Sequence, residues 1–271
     1  MKKLILLISL SCLVILYAFP SEIDRNQMES RINNLAITAL NTESEPDNQT
    51  SEKLNHSQEK AEKTVYLTFD DGPTSATSEI LDILHQFNAT ATFFMLEPAM
   101  KESPEVVKQI VEKGHAVGLH GVTHEVNHFY KSEQAALEEM TASQKTLQEI
   151  TGIQSNLIRT PYGSVPYLTE SFREVLDNNG FKVWDWNVDS SDWSLSDEEY
   201  VDRVIGQIEK LDNEEVTPII LMHDKQNTAD HLSILLTYLS EHRFQTRKIE
   251  EDTKSYNFNC YQRCYRLSTQ K

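Results

Sequence analysis

The feature that narrows the fold most is an alternation that begins at Thr64. Short β-rich runs at 64–69, 90–96, 115–120, 156–159, 181–187 and 216–222 are separated by stretches with apolar residues at helical spacing. Ile80, Leu81, Leu84 and Phe87 form one such face. Val106, Val107, Ile110 and Val111 form another, opened by Ser103 and Pro104 and closed by Gly114. Further helices are expected over 132–150, near 167–178, and over 228–240. A capping box of Ser196 and Glu199 opens the helix that carries Val201, Val204, Ile205 and Ile208. The run 216–222 is almost wholly apolar, as in a buried parallel strand, and a weaker strand falls at 244–249. Such alternation implies a parallel sheet with right-handed crossovers, either an open doubly wound sheet or a β/α barrel. No Gly-x-Gly-x-x-Gly or P-loop follows the first strand, so a nucleotide fold has no motif support.

Charge and termini set the compartment. With 25 basic and 42 acidic residues the net charge is −17, which excludes nucleic acid as a partner because phosphate binding needs a basic face. Three cysteines in 271 residues cannot be the main source of stability, and a core of this size does not need them. Lys2 and Lys3 precede an apolar run over 4–19, ended by Pro20 and Ser21, which is the layout of a secretory signal. Sixteen apolar residues is marginal for a membrane span, which needs roughly 17–25. Cleavage and anchoring both stay open, and either leaves the rest of the chain outside the cell or on its surface, with membrane contact only through an uncleaved N-terminus. The expected organisation is a signal peptide or anchor at 1–20, a polar disordered spacer at 21–63, a folded domain at 64–258 and a tail at 259–271. That tail holds Cys260 and Cys264, which are compatible with a disulfide or with free thiols.

The reactive side chains cluster by position. Asp70-Asp71-Gly72-Pro73 closes the first strand, His120 the third with His124 four residues on, and Arg159-Thr160-Pro161-Tyr162-Gly163 the fourth. Asp189, Asp192 and Trp193 follow the fifth, and His223-Asp224 closes the sixth. In a parallel β/α fold these carboxyl ends share one face, where barrel active sites lie. Neighbours in a strand point to opposite sides, so Asp70 and Asp71 enter one site only if the chain turns, and Gly72-Pro73 supplies that turn. His120, His124 and one aspartate make a catalytic-type metal set, for which zinc is the default and iron, cobalt or nickel remain open. Each residue alone has a bland explanation: solvated acids, core or surface histidines, a surface arginine. His128, which extends the same spacing, reads as non-ligating; His56, His85, His231 and His242 read as surface or core residues, and His115 as structural.

These residues resemble the polysaccharide deacetylases of carbohydrate esterase family 4, whose motifs occur here in the family order from about Val65 onward. The resemblance implies a distorted (β/α)7-type barrel with parallel strands. It implies that Asp70 is the general base, that Asp71, His120 and His124 bind a divalent metal, and that His223 is the general acid. It assigns Arg159 to orienting the base and Asp192 to tuning the acid. Tyr162 would offer its backbone N–H to the substrate oxyanion, and Trp193 and Leu221 would line a pocket for the acetyl methyl. Where the family's metal motif has serine or threonine after the first histidine, this chain has Gly121, so a loop hydrogen bond is expected to be missing.

Amide hydrolysis needs a polarised carbonyl, a base for the attacking water, an acid for the departing amine and a donor for the oxyanion. One residue is present for each role. The leading expectation is an exported, metal-dependent deacetylase of N-acetylglucosamine units, with peptidoglycan or chito-oligosaccharide as the polymer. An O-acetyl esterase on xylan or another polysaccharide uses the same machinery. A wall-binding protein with a decayed site is the non-enzymatic alternative, which the intact Asp70, Asp71, His120, His124 and His223 disfavour.

Overall fold

The computed structural model describes residues 62–196 and 198–267. The expected signal or anchor, and almost all of the spacer, lie outside the described residues. No helix among those described is long and apolar enough to cross a membrane.

Eight strands form one sheet in which every ladder is parallel. They are β1 (Lys63–Asp70), β2 (Thr92–Met95), β3 (Ala116–Leu119), β4 (Leu157–Ile158), β5 (Lys182–Val183), β6 (Val188–Asp189), β7 (Ile219–His223) and β8 (Phe244–Arg247). The order is β5-β4-β3-β2-β1-β7-β6, and β8 pairs with the first half of β1. This is the expected parallel, distorted barrel. Among the described residues no ladder joins β5 to β6, so the sheet curls without closing.

Strand alternation gives the sheet two faces. Val65, Leu67, Phe69, Phe93, Met95, Ile220 and Met222 face one way, into the main core. Against them pack α1 (Thr77–Gln86), α3 (Pro104–Glu112), α5 (Glu133–Thr151), α6 (Glu170–Asn178), α7 (Glu199–Asn213) and α8 (Gln226–Glu241). Residues of opposite parity, Phe94, Leu157 and Ile219, fill the concave side with Trp184, Ile249, Tyr66 and Trp186. That apolar plug is the floor on which the site is built.

Three local expectations are corrected, and two short helices are added. The run 181–187 is not one strand. Trp184 N still bonds Ile158 O, but Asn187 N bonds Ile219 O, so the chain leaves one end of the sheet path and joins the other. Residues 184–187 thereby span the gap between β5 and β6. The apolar run at 216–222 enters the sheet only at Ile219, because Pro218 has no N–H to give a ladder. Ser196 does not cap α7, whose preceding residue is Glu198 and which has no side-chain cap bond. Two short helices carry too few residues for a period to show: α2 (Glu97–Glu102) and α4 (Val126–Phe129).

Candidate active site

The centre of the concave face is an arginine with no solvent exposure. Arg159 follows β4 and donates its backbone N–H to Leu119 O. Its Nη1 donates to Asp70 Oδ1 at 2.9 Å and to Thr68 Oγ1 at 2.7 Å. Nε donates to Trp184 O at 3.1 Å and Nη2 to Asp185 O at 3.2 Å. The guanidinium lies over the Phe94 ring, 4.3 Å from its centroid. A buried charge persists only when paired and hydrogen-bonded, and here one aspartate and three further oxygens do this. The consequence is a fixed Asp70 carboxylate, held by one oxygen.

Asp71, His120 and His124 converge beside it, with ligand atoms all within 4.8 Å of one another. Both acids reach one site because the reversal starts at Asp71 itself, which has a left-handed backbone at φ 73. His120 Nδ1 lies 2.6 Å from Arg159 O, and a carbonyl only accepts, so Nδ1 carries the proton and Nε2 keeps its lone pair. His120 Nε2 is 3.6 Å and His124 Nε2 is 3.5 Å from Asp71 Oδ1. Burial, and next the adjacent His120, hold the His124 pKa below its ordinary value, with Asp71 and Asp70 opposing. His124 is therefore neutral, the form that ligates. Asp71 Oδ1 is buried and, among the described residues, has no hydrogen-bond partner. A buried carboxylate oxygen aimed at two imidazole nitrogens is unsatisfied without a cation, so the donor set fits a divalent metal.

His223 ends β7 as the ladder partner of Asp70. Its Nδ1 is 2.7 Å from Asp192 Oδ1, and its backbone N–H donates to Asp192 Oδ2 at 2.7 Å. Thr228 Oγ1 donates to the same Oδ2 at 2.6 Å. Burial alone would lower the His223 pKa. The Asp192 hydrogen bond and charge, with Asp70 and Asp71 adding, outweigh it and raise the pKa above its ordinary value. For Asp192, burial pushes upward but the bonds from His223 and Thr228 win, so its pKa is lowered.

Tyr162 and Gly163 are successive left-handed residues, φ 64 and 78, a conformation that costs a non-glycine residue roughly 1–2 kcal/mol. The Tyr130 hydroxyl lies 2.8 Å from Pro161 O and 2.9 Å from Gly163 O, on either side of that bend. Tyr162 donates its own hydroxyl to His124 O at 3.2 Å, and its ring centroid is 4.7 Å from that of His124. Its backbone N–H has no acceptor among the described residues. Leu221 is buried two residues before His223 on the same side of β7, while Trp193, next to Asp192, is 62% exposed.

Three acids support the site in roles not expected from the sequence. Glu139 on α5 accepts from Val122 N, Thr123 N and Thr123 Oγ1 at 2.8–3.0 Å. The loop between the two histidines is therefore well anchored although Gly121 has no hydroxyl. Asp224, with the Thr74 and Thr77 hydroxyls on its carboxylate, fills the space a side chain at Gly72 would need; a Cβ there would be 2.3 Å from Asp224 Oδ2. Asp185 accepts from Ser164 N, Ser164 Oγ and Phe258 N. Its one sequence signal is an acid set between Trp184 and Trp186 in an apolar run.

Comparisons with known proteins bear on the family and the fold. The family model for polysaccharide deacetylase matches residues 57–184. A putative polysaccharide deacetylase of Bacillus subtilis is 43% identical over 200 residues, covering 73% of this chain and 71% of that protein. A peptidoglycan-N-acetylglucosamine deacetylase of Bacillus cereus is 42% identical over 168 residues, covering 61% of each chain. The crystal structure of a Bacillus cereus polysaccharide deacetylase superposes with a TM-score of 0.66 at 36% identity, covering 72% of this chain and 97% of that one. The chain belongs to the polysaccharide deacetylase family, and with that family it is a deacetylase-type hydrolase.

Proposed function

We propose that the chain removes N-acetyl groups from N-acetylglucosamine units of peptidoglycan, outside the cell, with zinc held by Asp71, His120 and His124. The observation that carries the reading is the pairing across one ladder of a carboxylate and a histidine, Asp70 and His223, beside an unsatisfied Asp-His-His set. The curated Bacillus cereus relative named for this substrate supports the polymer. The apolar run at 4–19 serves export, through cleavage or as an anchor.

A divalent ion in that set supplies polarisation of the acetyl carbonyl and a more acidic water. The chain's own residues do the rest. Asp70, anchored at Oδ1 by Arg159, keeps Oδ2 to take the water proton. Asp192, outweighing burial, raises the His223 pKa and so favours its protonated form. With Nδ1 engaged by Asp192, its Nε2–H is the proton that goes to the leaving nitrogen. The Tyr162 N–H faces the developing oxyanion, while Leu221 and Trp193 border the acetyl methyl.

The test is acetate release by the metal-loaded full chain from purified peptidoglycan, chito-oligomers and acetylated xylan. The reading expects release from the first two. Release from xylan alone would replace it with an O-acetyl esterase, and no release with no bound metal would point to a wall-binding protein.

A further inference from the structure

Phe258, the last residue of the expected domain, and the tail that follows it reach the loop that carries Tyr162. Asp185 has no solvent exposure, and its carboxylate is shared between Ser164, at 2.9 and 2.6 Å, and the Phe258 N–H at 2.7 Å. The Phe258 ring meets Trp186 edge-on, with centroids 4.9 Å apart. It also closes on Gly163, where an added Cβ would lie 3.3 Å from Phe258 Cε2 and 2.8 Å from Trp186 Cη2. A second attachment follows: Tyr265 donates its N–H to Pro166 O at 2.9 Å, its ring packs against Tyr167, and Arg266 pairs with Glu133. Between the attachments the chain is closed on itself by a disulfide between Cys260 and Cys264, with Cα atoms 5.3 Å apart.

We propose that Phe258 and this tail together form a clamp on the loop that carries Tyr162, with Phe258 as the positioning residue and the Cys260–Cys264 disulfide as the staple that couples the two attachments. The proposal rests on the reading of Tyr162 as the oxyanion donor. Two left-handed residues in succession hold that shape only where the surroundings over-determine it. Tyr130 fixes the carbonyls of the bend from one side. Asp185, Trp186 and Phe258 fix Gly163 and Ser164 from the other. The disulfide shortens the free chain between the attachments, so that holding one lowers the entropy lost in holding the other.

The experiment compares the metal-loaded full chain with Phe258→Ala and with a Cys260→Ser/Cys264→Ser double variant. It follows hydrogen exchange over 161–168, bound metal, and kcat and KM on chito-oligomers. Phe258→Ala should speed exchange in that segment and lower kcat roughly 10–100-fold, the scale of a small misplacement at a reacting centre. Bound metal should not change, because Arg159 and Glu139 hold that part of the site. The double variant should move the same way by less. Unchanged exchange in Phe258→Ala overturns the clamp, and faster exchange with unchanged kcat overturns the positioning role. If the wild type releases no acetate, the functional reading has failed instead, and the exchange comparison still decides whether the clamp exists.

Discussion

Removing the Arg159 guanidinium would leave Asp70, 3% exposed, with a buried negative charge and no partner at Oδ1. Breaking a buried pair by deleting one member typically costs about 3–5 kcal/mol, so Arg159→Ala should lower stability by that order in a denaturant melt. Arg159→Lys keeps the charge but cannot reach Asp70, Thr68, Trp184 and Asp185 together, so it should restore only part. His223 gives a prediction in pH. In its proposed role as general acid it acts in the protonated form, which Asp192 favours, so loss of that proton should set the alkaline limb of kcat. Asp192→Asn removes the raising charge, the His223 pKa falls, and that limb should move to lower pH. A pH–rate profile of the two proteins checks the direction; an unmoved limb would mean that another group titrates there.

Among elements, α7 offers a clean test of local propensity. Gly206 sits inside Glu199–Asn213 with nothing within 4 Å of an added Cβ. Gly206→Ala should raise stability by about 0.5–1 kcal/mol, read from the shift of a urea midpoint at constant slope. Elements also show what was legible in the sequence. The five reactive clusters could be read because strand and helix periods place strand ends to within a residue or two, and a parallel fold puts those ends on one face. The role of Gly121 could not be read, because the bonds that hold its loop come from Glu139, on a helix whose surface pattern marks it as one more exposed acid. The roles of Asp185 and Asp224 were hidden in the same way, since their partners Ser164, Phe258, Thr74 and Thr77 stand far off in sequence. The crossing at 184–187 was hidden because both halves are β-rich and only the open sheet decides which edge each joins.

At the scale of the whole molecule, a sheet that curls without closing leaves a concave face floored by Phe94, Leu157, Trp184 and Ile219. Arg159 stands on that floor and bonds Asp70 through its guanidinium and His120 through its carbonyl, with Asp71, His124 and His223 alongside. Metal should therefore stabilise the fold as well as serve it. A ligand at about 100 times its Kd adds ~2.7 kcal/mol, so chelation should lower the melting temperature, and His120→Ala should abolish that response. The central claim is that Asp70 is a base beside a metal set it does not itself complete. The measurement that tests it most directly is acetate release from peptidoglycan by wild type and Asp70→Asn, with bound zinc determined in the same samples. The account predicts equal zinc in both proteins and release that is lost in the variant. Release that survives in Asp70→Asn, or zinc that disappears with it, would contradict the assignment.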